Sequence, residues 1–184
     1  MKIAIGCDHI ATKQKDELKD ILVSWGHKVI DCGTYDDTRT HYTIYGFEVA
    51  RQVGLKKANL GVVLCGTGVG ITNSANKTYG ARCCLTRDVA CAVAARKYYN
   101  ANIIGVGARI SGMGLITEIV KAFLNAKYDG SHKADIKKID SVLRKPNYNT
   151  KQFDLLIKKW ESGKYTGNKK EKKVPLPKTF SKKK

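Results

Sequence analysis

The sequence predicts an α/β protein: a doubly wound, five-stranded parallel sheet with a C-terminal helical extension. Three observations predict it. Five short apolar runs bounded by glycine or polar turns read as strands, and the segments between them show helical spacing. Strands and helices alternate as far as Tyr128, the pattern of a parallel sheet covered by helices on both faces. Beyond Tyr128 the pattern is helical only.

The elements follow in order. "KIAIGC", residues 2–7, is a buried strand. "ATKQKDELKDILVSW" has helical spacing through Leu18, Ile21, Leu22 and Trp25, and Gly26 ends it. "KVIDCG" is a second strand. "TYDDTRTHYTIYG" is a polar, aromatic-laced loop leading into a helix around Tyr45–Leu55. "LGVVLC" is a third strand, apolar throughout and therefore buried on both faces. "ITNSANKTYG" is a short helix and turn, and "ARCCLT" a fourth strand. "DVACAVAARKY" is a helix whose first N–H groups Asp88 can cap. "NIIGVG" is the fifth strand and "GLITEIVKAFLNAKY" a long amphipathic helix. Two more helices, "KADIKKIDSVLR" and, past Pro146, "TKQFDLLIKKWESGKY", are expected outside the core domain or on another subunit. The chain thus divides into a Rossmann-like domain over residues 1–130, a helical extension over 131–163 and a lysine-rich tail over 164–184, expected to be disordered.

A chain of 184 residues suits one domain with an appendage. From Gly163 onward there are nine lysines and one acid, Glu171, a balance of +8 within the chain's +18. That tail has no arginine, only Tyr165 and Phe180 as aromatics, and no amphipathic period. Solubility is therefore the preferred reading over a nucleic-acid or membrane contact. The six cysteines form no CxxC pair, no signal peptide is read, and no apolar stretch approaches membrane-spanning length. A cytoplasmic protein with reduced thiols is expected.

In an open α/β sheet, ligands bind beyond the carboxyl ends of the strands. Four predicted strand ends carry candidates: Cys7-Asp8-His9, then Thr38 to Tyr42 with Arg39 and His41, then Cys65-Gly66-Thr67-Gly68, then Gly105 to Arg109. The stretch "VVLCGTGVG" has the spacing G-x-G-x-G, one residue short of a dinucleotide fingerprint. An N–H nest is the stronger reading: Gly66, Gly68 and Gly70 free the backbone, and such a nest holds a phosphate or a developing oxyanion. The sequence does not choose between those two. Cys65 at its edge can act as nucleophile or general base. Asp8 and His9 can recognise hydroxyls or shuttle protons, and Arg39 is a natural phosphate ligand.

At this point several motifs coincide. "IGCDH", "GTYDDTRTHYTIYG", "CGTGVGI" with "ANK" just after, and "NANIIGVGARISG" resemble the family that joins type B ribose-5-phosphate isomerases to the two galactose-6-phosphate isomerase subunits. Within it the chain is most similar to the B-type subunits of the galactose enzyme. "RTHYTIYG" follows their pattern, where ribose enzymes usually carry an acid in place of His41, and "QFDLLIKKWESGKY" resembles their C-terminal extension.

The resemblance implies an aldose–ketose isomerase of phosphorylated sugars that works through an enediolate, with no metal and no organic cofactor. It implies that Cys65 is the base and that Thr67, Gly68 and Gly70 belong to the loop whose N–H groups stabilise the intermediate. It further implies that Asp8 and His9 hold the open-chain sugar and that Tyr42 lines the pocket. The departures are equally specific. Where ribose enzymes carry a His-Asn pair, this chain has Tyr98-Tyr99, and where they carry phosphate-binding arginines it reads "YDGSHKADIKK". Since family sites lie between subunits, the chain is expected either in a hetero-oligomer whose A-type paralogue supplies the missing groups, or as a homodimer in which Tyr98, His132 and Lys133 substitute locally. Galactose 6-phosphate is the expected substrate. Ribose 5-phosphate is the alternative, and a non-catalytic nucleotide- or nucleic-acid-binding relative the remaining one.

Overall fold

The computed structural model describes residues 1–142 together with Leu155 and Lys158. Contacts divide the chain into two units, Met1–Tyr148 and Asn149–Lys184. Of the second, Leu155 and Lys158 are described, both helical and exposed. The expected helix "TKQFDLLIKKWESGKY" otherwise lies outside the described residues, as does the lysine-rich tail.

Among the described residues, five strands alternate with helices: β1 (Lys2–Cys7), α1 (Thr12–Ser24), β2 (Lys28–Asp31), α2 (Tyr42–Gly54), β3 (Leu60–Cys65), α3 (Val69–Ala75), β4 (Cys83–Leu85), α4 (Val89–Lys97), β5 (Ile103–Gly107), α5 (Met113–Asn125) and α6 (Lys133–Val142). The sheet order is β2-β1-β3-β5-β4, parallel throughout. Right-handed crossovers decide which face each helix covers. The connection from β1 to β2 runs one way along the sheet, and those from β2 to β3 and from β3 to β4 run the other. Two cores result. Leu18 and Leu22 of α1, Ala92 and Ala95 of α4, and Ile116, Ile119 and Phe123 of α5 pack on one face. Val49, Ala50 and Val53 of α2, with Ile71 and Ala75 of α3, pack on the other. Between them β3 is buried along its whole length, as its unbroken apolar run predicts.

Local chemistry sets the boundaries. At the end of α1, Gly26 N–H donates to Val23 C=O and His27 N–H to Leu22 C=O, a Schellman closure. Asp88 caps α4, its Oδ1 accepting the Cys91 N–H at 2.7 Å. The helix α2 starts at Tyr42, earlier than the expected Tyr45, because extended His41 serves as its N-cap. The strand β4 is shorter than "ARCCLT" because Arg82 N–H is held by the Asn102 side chain. β4 ends the sheet, and Asn76 occupies its free edge. The Asn76 Oδ1 accepts the Cys83 N–H at 2.8 Å and its Nδ2 donates to the Cys83 C=O at 2.7 Å. The helix α6 lies on the outside of the domain, with Ile136 buried and Asp140 paired with Arg82 at 2.8 Å.

One buried charge stands out. Lys15 has 0% exposure, and its Nζ lies 2.9 Å from both oxygens of Asp31 and 3.1 Å from Asp16. Burial opposes both charges, but mutual hydrogen bonding outweighs it. The Lys15 pKa is raised, and the Asp31 carboxyl is held below its ordinary 3.8. For a depressed acid, the stability contribution is complete above the unfolded value and lost as pH falls through the folded one.

Two outcomes follow from this packing. Asp31→Asn should cost about 3 kcal/mol at neutral pH, and should remove part of the stability loss seen below about pH 3.8, as read by urea unfolding across pH. At Gly46, where α2 meets α3, a Cβ would stand 2.6 Å from the Ile71 carbonyl oxygen. Gly46→Ala should therefore destabilise by about 2 kcal/mol in the same assay.

Candidate active site

The strand β3 delivers Cys65 to the carboxyl edge of the sheet as its last residue, 3% exposed. The chain then turns sharply. Gly68 is the N-cap of α3 with φ +78°, a left-handed conformation that favours glycine. The turn brings the Gly68 N–H back to donate to Cys65 Sγ at 3.2 Å. That N–H is thus engaged with the sulfur, and it fixes the thiol where the glycine loop begins. Thr67, exposed at the tip, accepts the Val69 N–H on its Oγ1 at 3.3 Å. The segment after β5 supports the loop from beneath: Ala108 N–H donates to Cys65 C=O and Arg109 N–H to Gly66 C=O.

The neighbouring strand β1 ends beside this turn, and Asp8 N–H donates to Leu64 C=O at 3.3 Å. Asp8 is 4% exposed, and its Oδ1 accepts the Ile10 N–H at 3.1 Å. Burial raises its pKa, and this outweighs the Ile10 N–H and the positive fields of His9, Arg109 and His41. Those four groups therefore share one electrostatic neighbourhood. His9 Nδ1 lies 3.1 Å from Thr40 O and 3.3 Å from Thr40 N, linking the end of β1 to the loop before α2. The same loop carries exposed Arg39. Tyr42, at the start of α2, places its ring against Gly70, 2.7 Å from where a Cβ would stand.

Burial pushes Cys7 and Cys32 up to about 12 and raises Cys83, Cys84 and Cys91 as well. Cys65 is distinguished by its place at the glycine loop, where its sulfur accepts the Gly68 N–H. Among the described residues, no three His, Cys, Asp or Glu side chains cluster as ligands for a metal ion.

The structure thus gathers Cys65, Gly66, Thr67, Gly68, Gly70, Asp8, His9, His41 and Tyr42 at one edge, with Arg39 on the adjoining loop. It does not bring Tyr98 there. The helix α4 runs from the carboxyl edge back across the sheet, so Tyr98, its C-cap, lies at the amino edge. Its companions are there too: the Tyr99 ring stacks on His132 with centroids 4.9 Å apart, and Asp129 N–H donates to Lys97 C=O. Tyr98, Tyr99, His132 and Lys133 therefore do not substitute locally at the Cys65 site of their own chain. Arg109 is the site residue that sequence reasoning left without a role. Its signals were its place at the end of the candidate stretch Gly105 to Arg109, two residues past β5, and within the motif "NANIIGVGARISG".

Comparisons with known proteins agree with this geometry. The sequence model of the Ribose/Galactose Isomerase family matches residues 3–139. The chain is 49% identical over 170 residues to galactose-6-phosphate isomerase subunit LacB of Clostridium acetobutylicum, covering 90% of this chain and 98% of that one. It is 37% identical over 147 residues to ribose-5-phosphate isomerase B of Escherichia coli, covering 79% and 99%. The solved structure of Clostridium thermocellum ribose-5-phosphate isomerase B superposes with a TM-score of 0.76 at 36% identity, over 77% of this chain and 97% of that one. With the family model spanning most of its length and relatives at 37% to 49% identity along most of theirs, the chain belongs to the ribose/galactose isomerase family.

Proposed function

We propose that this chain isomerises a phosphorylated sugar, galactose 6-phosphate to tagatose 6-phosphate, as one subunit of a hetero-oligomer. The observation that carries the reading is Cys65 at the end of β3, held by the Gly68 N–H at 3.2 Å beside buried Asp8. Cys65, as thiolate, takes the proton from C2 of the open-chain aldose. The C–H electron pair forms the C1=C2 double bond, and the carbonyl pair moves onto O1. Thr67 and Gly70 present N–H groups to that developing oxyanion, since the Gly68 N–H serves the sulfur. A proton passes from O2 to O1, the thiol returns its proton to C1, and a ketone stands at C2. Atoms and charge balance without an external oxidant. Asp8 and His9 hold sugar hydroxyls, while Arg39, His41 and Arg109 supply positive charge toward the phosphate. Tyr42 walls the pocket beside Gly70.

A partner subunit completes the site. Val69, Val89, Ile110 and Leu115 lie at or just beyond the carboxyl edge and are 38% to 56% exposed. Apolar side chains around a site for a highly polar substrate suit coverage by another subunit. The groups standing where ribose enzymes have their His-Asn pair and late arginines are at the opposite edge, where they can serve only another chain's site. An A-type paralogue that carries the His-Asn pair and the late arginines is the partner proposed to supply those groups. The six free thiols and the absence, among the described residues, of a helix long and apolar enough to cross a membrane support a cytoplasmic setting.

Cys65→Ala should lower kcat/KM by about 1,000-fold and abolish solvent proton exchange at C2 of the substrate. Exchange at the wild-type rate would remove Cys65 from the mechanism. Mixing the chain with an A-type paralogue should raise turnover of galactose 6-phosphate at least about 100-fold over the chain alone, with ribose 5-phosphate as the comparison substrate. Full activity of the chain alone would refute the need for a partner.

A further inference from the structure

The chemistry above makes no use of the best-buried charge among the described residues. Lys15 is a charged side chain with no exposure, as deeply buried as Phe123 in the core. As a stabiliser, such a pair is a poor choice, because desolvation offsets most of its Coulombic gain and apolar residues of equal volume often do as well. Its geometry suggests another role. The Lys15 ammonium donates to both oxygens of Asp31, the last residue of β2. Asp31 Oδ1 accepts the Gly33 N–H at 3.0 Å. The Asp31 carbonyl accepts the Tyr35 hydroxyl at 3.3 Å, and the Tyr35 ring lies over the same ammonium, 4.9 Å from its centroid. One cation thereby fixes the exit of β2 at three places.

The chain beyond is tied to the same stretch of sequence. Cys7 N–H donates to Gly33 C=O at 2.7 Å and Thr34 N–H to Cys7 C=O at 2.8 Å. Thr12 Oγ1 donates to Asp36 C=O at 2.8 Å. His9 meets Thr40. Every one of these anchors comes from residues 7–15, and the loop they hold runs into His41 and Tyr42. We propose that Lys15 is a positioning residue for the sugar phosphate: through Asp31 and Tyr35 it sets the course of residues 33–41, and with it the placement of Arg39, His41 and Tyr42 over the site. This rests on the isomerase reading given above.

The test uses the full chain in its active assembly. Lys15→Met combined with Asp31→Asn removes both charges of the closest pair together. KM for the sugar phosphate should rise about tenfold with kcat within about threefold, because Cys65 and its loop are carried by β3. Amide hydrogen exchange over residues 34–41 should quicken about tenfold while β1 and β3 keep their protection. Tyr35→Leu, at an exposed position, should move both readouts the same way and covers the case in which the double variant does not fold. Unchanged KM and unchanged loop exchange in the folded variants overturn the proposal. So does an equal loss of protection in β1 and β3, which would make Lys15 a stability residue only. The exchange experiment needs no substrate, so a wild-type protein inactive on sugar phosphates would defeat the isomerase reading while the loop measurement still judged the positioning.

Discussion

The site depends on the parallel register of β1, β3 and β5. In a parallel sheet every strand points its carboxyl end to the same edge. Here the register pairs Cys7 with Leu64 and Cys65 with Gly107, so three strands finish within a residue of one another. The ladder then continues into the loops, through Asp8 N–H to Leu64 C=O and Ala108 N–H to Cys65 C=O. A thiol, a carboxylate and an arginine-bearing loop are thus placed by backbone hydrogen bonds. A register slip of one residue would point the thiol to the opposite face, away from the core formed with α2 and α3.

Electrostatics at this edge and behind it differ in kind. Asp8 is buried with positive groups near but without a bidentate partner, and its proton is held more tightly than usual. Asp31 is also partly buried, but Lys15 and the Gly33 N–H stabilise its charge and the shift is reversed. In the first arrangement the carboxyl meets one backbone N–H, that of Ile10. The second spends its charge within the protein, holding backbone in place. Burial raises the other five thiols, while Cys65, itself buried, ends β3 where the glycine loop begins and accepts the Gly68 N–H on its sulfur.

Much of this was legible in the sequence, for physical reasons that also explain the rest. The strands could be read because a doubly covered parallel strand must be apolar on both faces, as "LGVVLC" is. The glycine loop could be read because its G-x-G-x-G spacing follows directly on a strand. The start of α2 could not, since nothing local marks extended His41 as a cap. The position of Tyr98 follows from topology rather than from local sequence: a helix that returns across a parallel sheet carries its last residue to the far edge. Arg109 sits inside a quoted motif, but nothing local in sequence shows that its charge reaches Asp8. Lys15 reads as one more polar residue on an amphipathic helix, because its partner Asp31 lies 16 residues away and meets it only when β2 pairs with β1.

The Asn76 side chain closes the open margin of β4 with two hydrogen bonds, and in doing so imitates a sixth strand one residue long. A sheet margin finished in this way offers no ladder at Cys83 for a foreign strand to join. On that margin, then, the chain is protected against runaway edge-to-edge stacking. Association there must proceed through side-chain surfaces, whose shape and polarity can discriminate a chosen partner in a way that repetitive backbone pairing cannot.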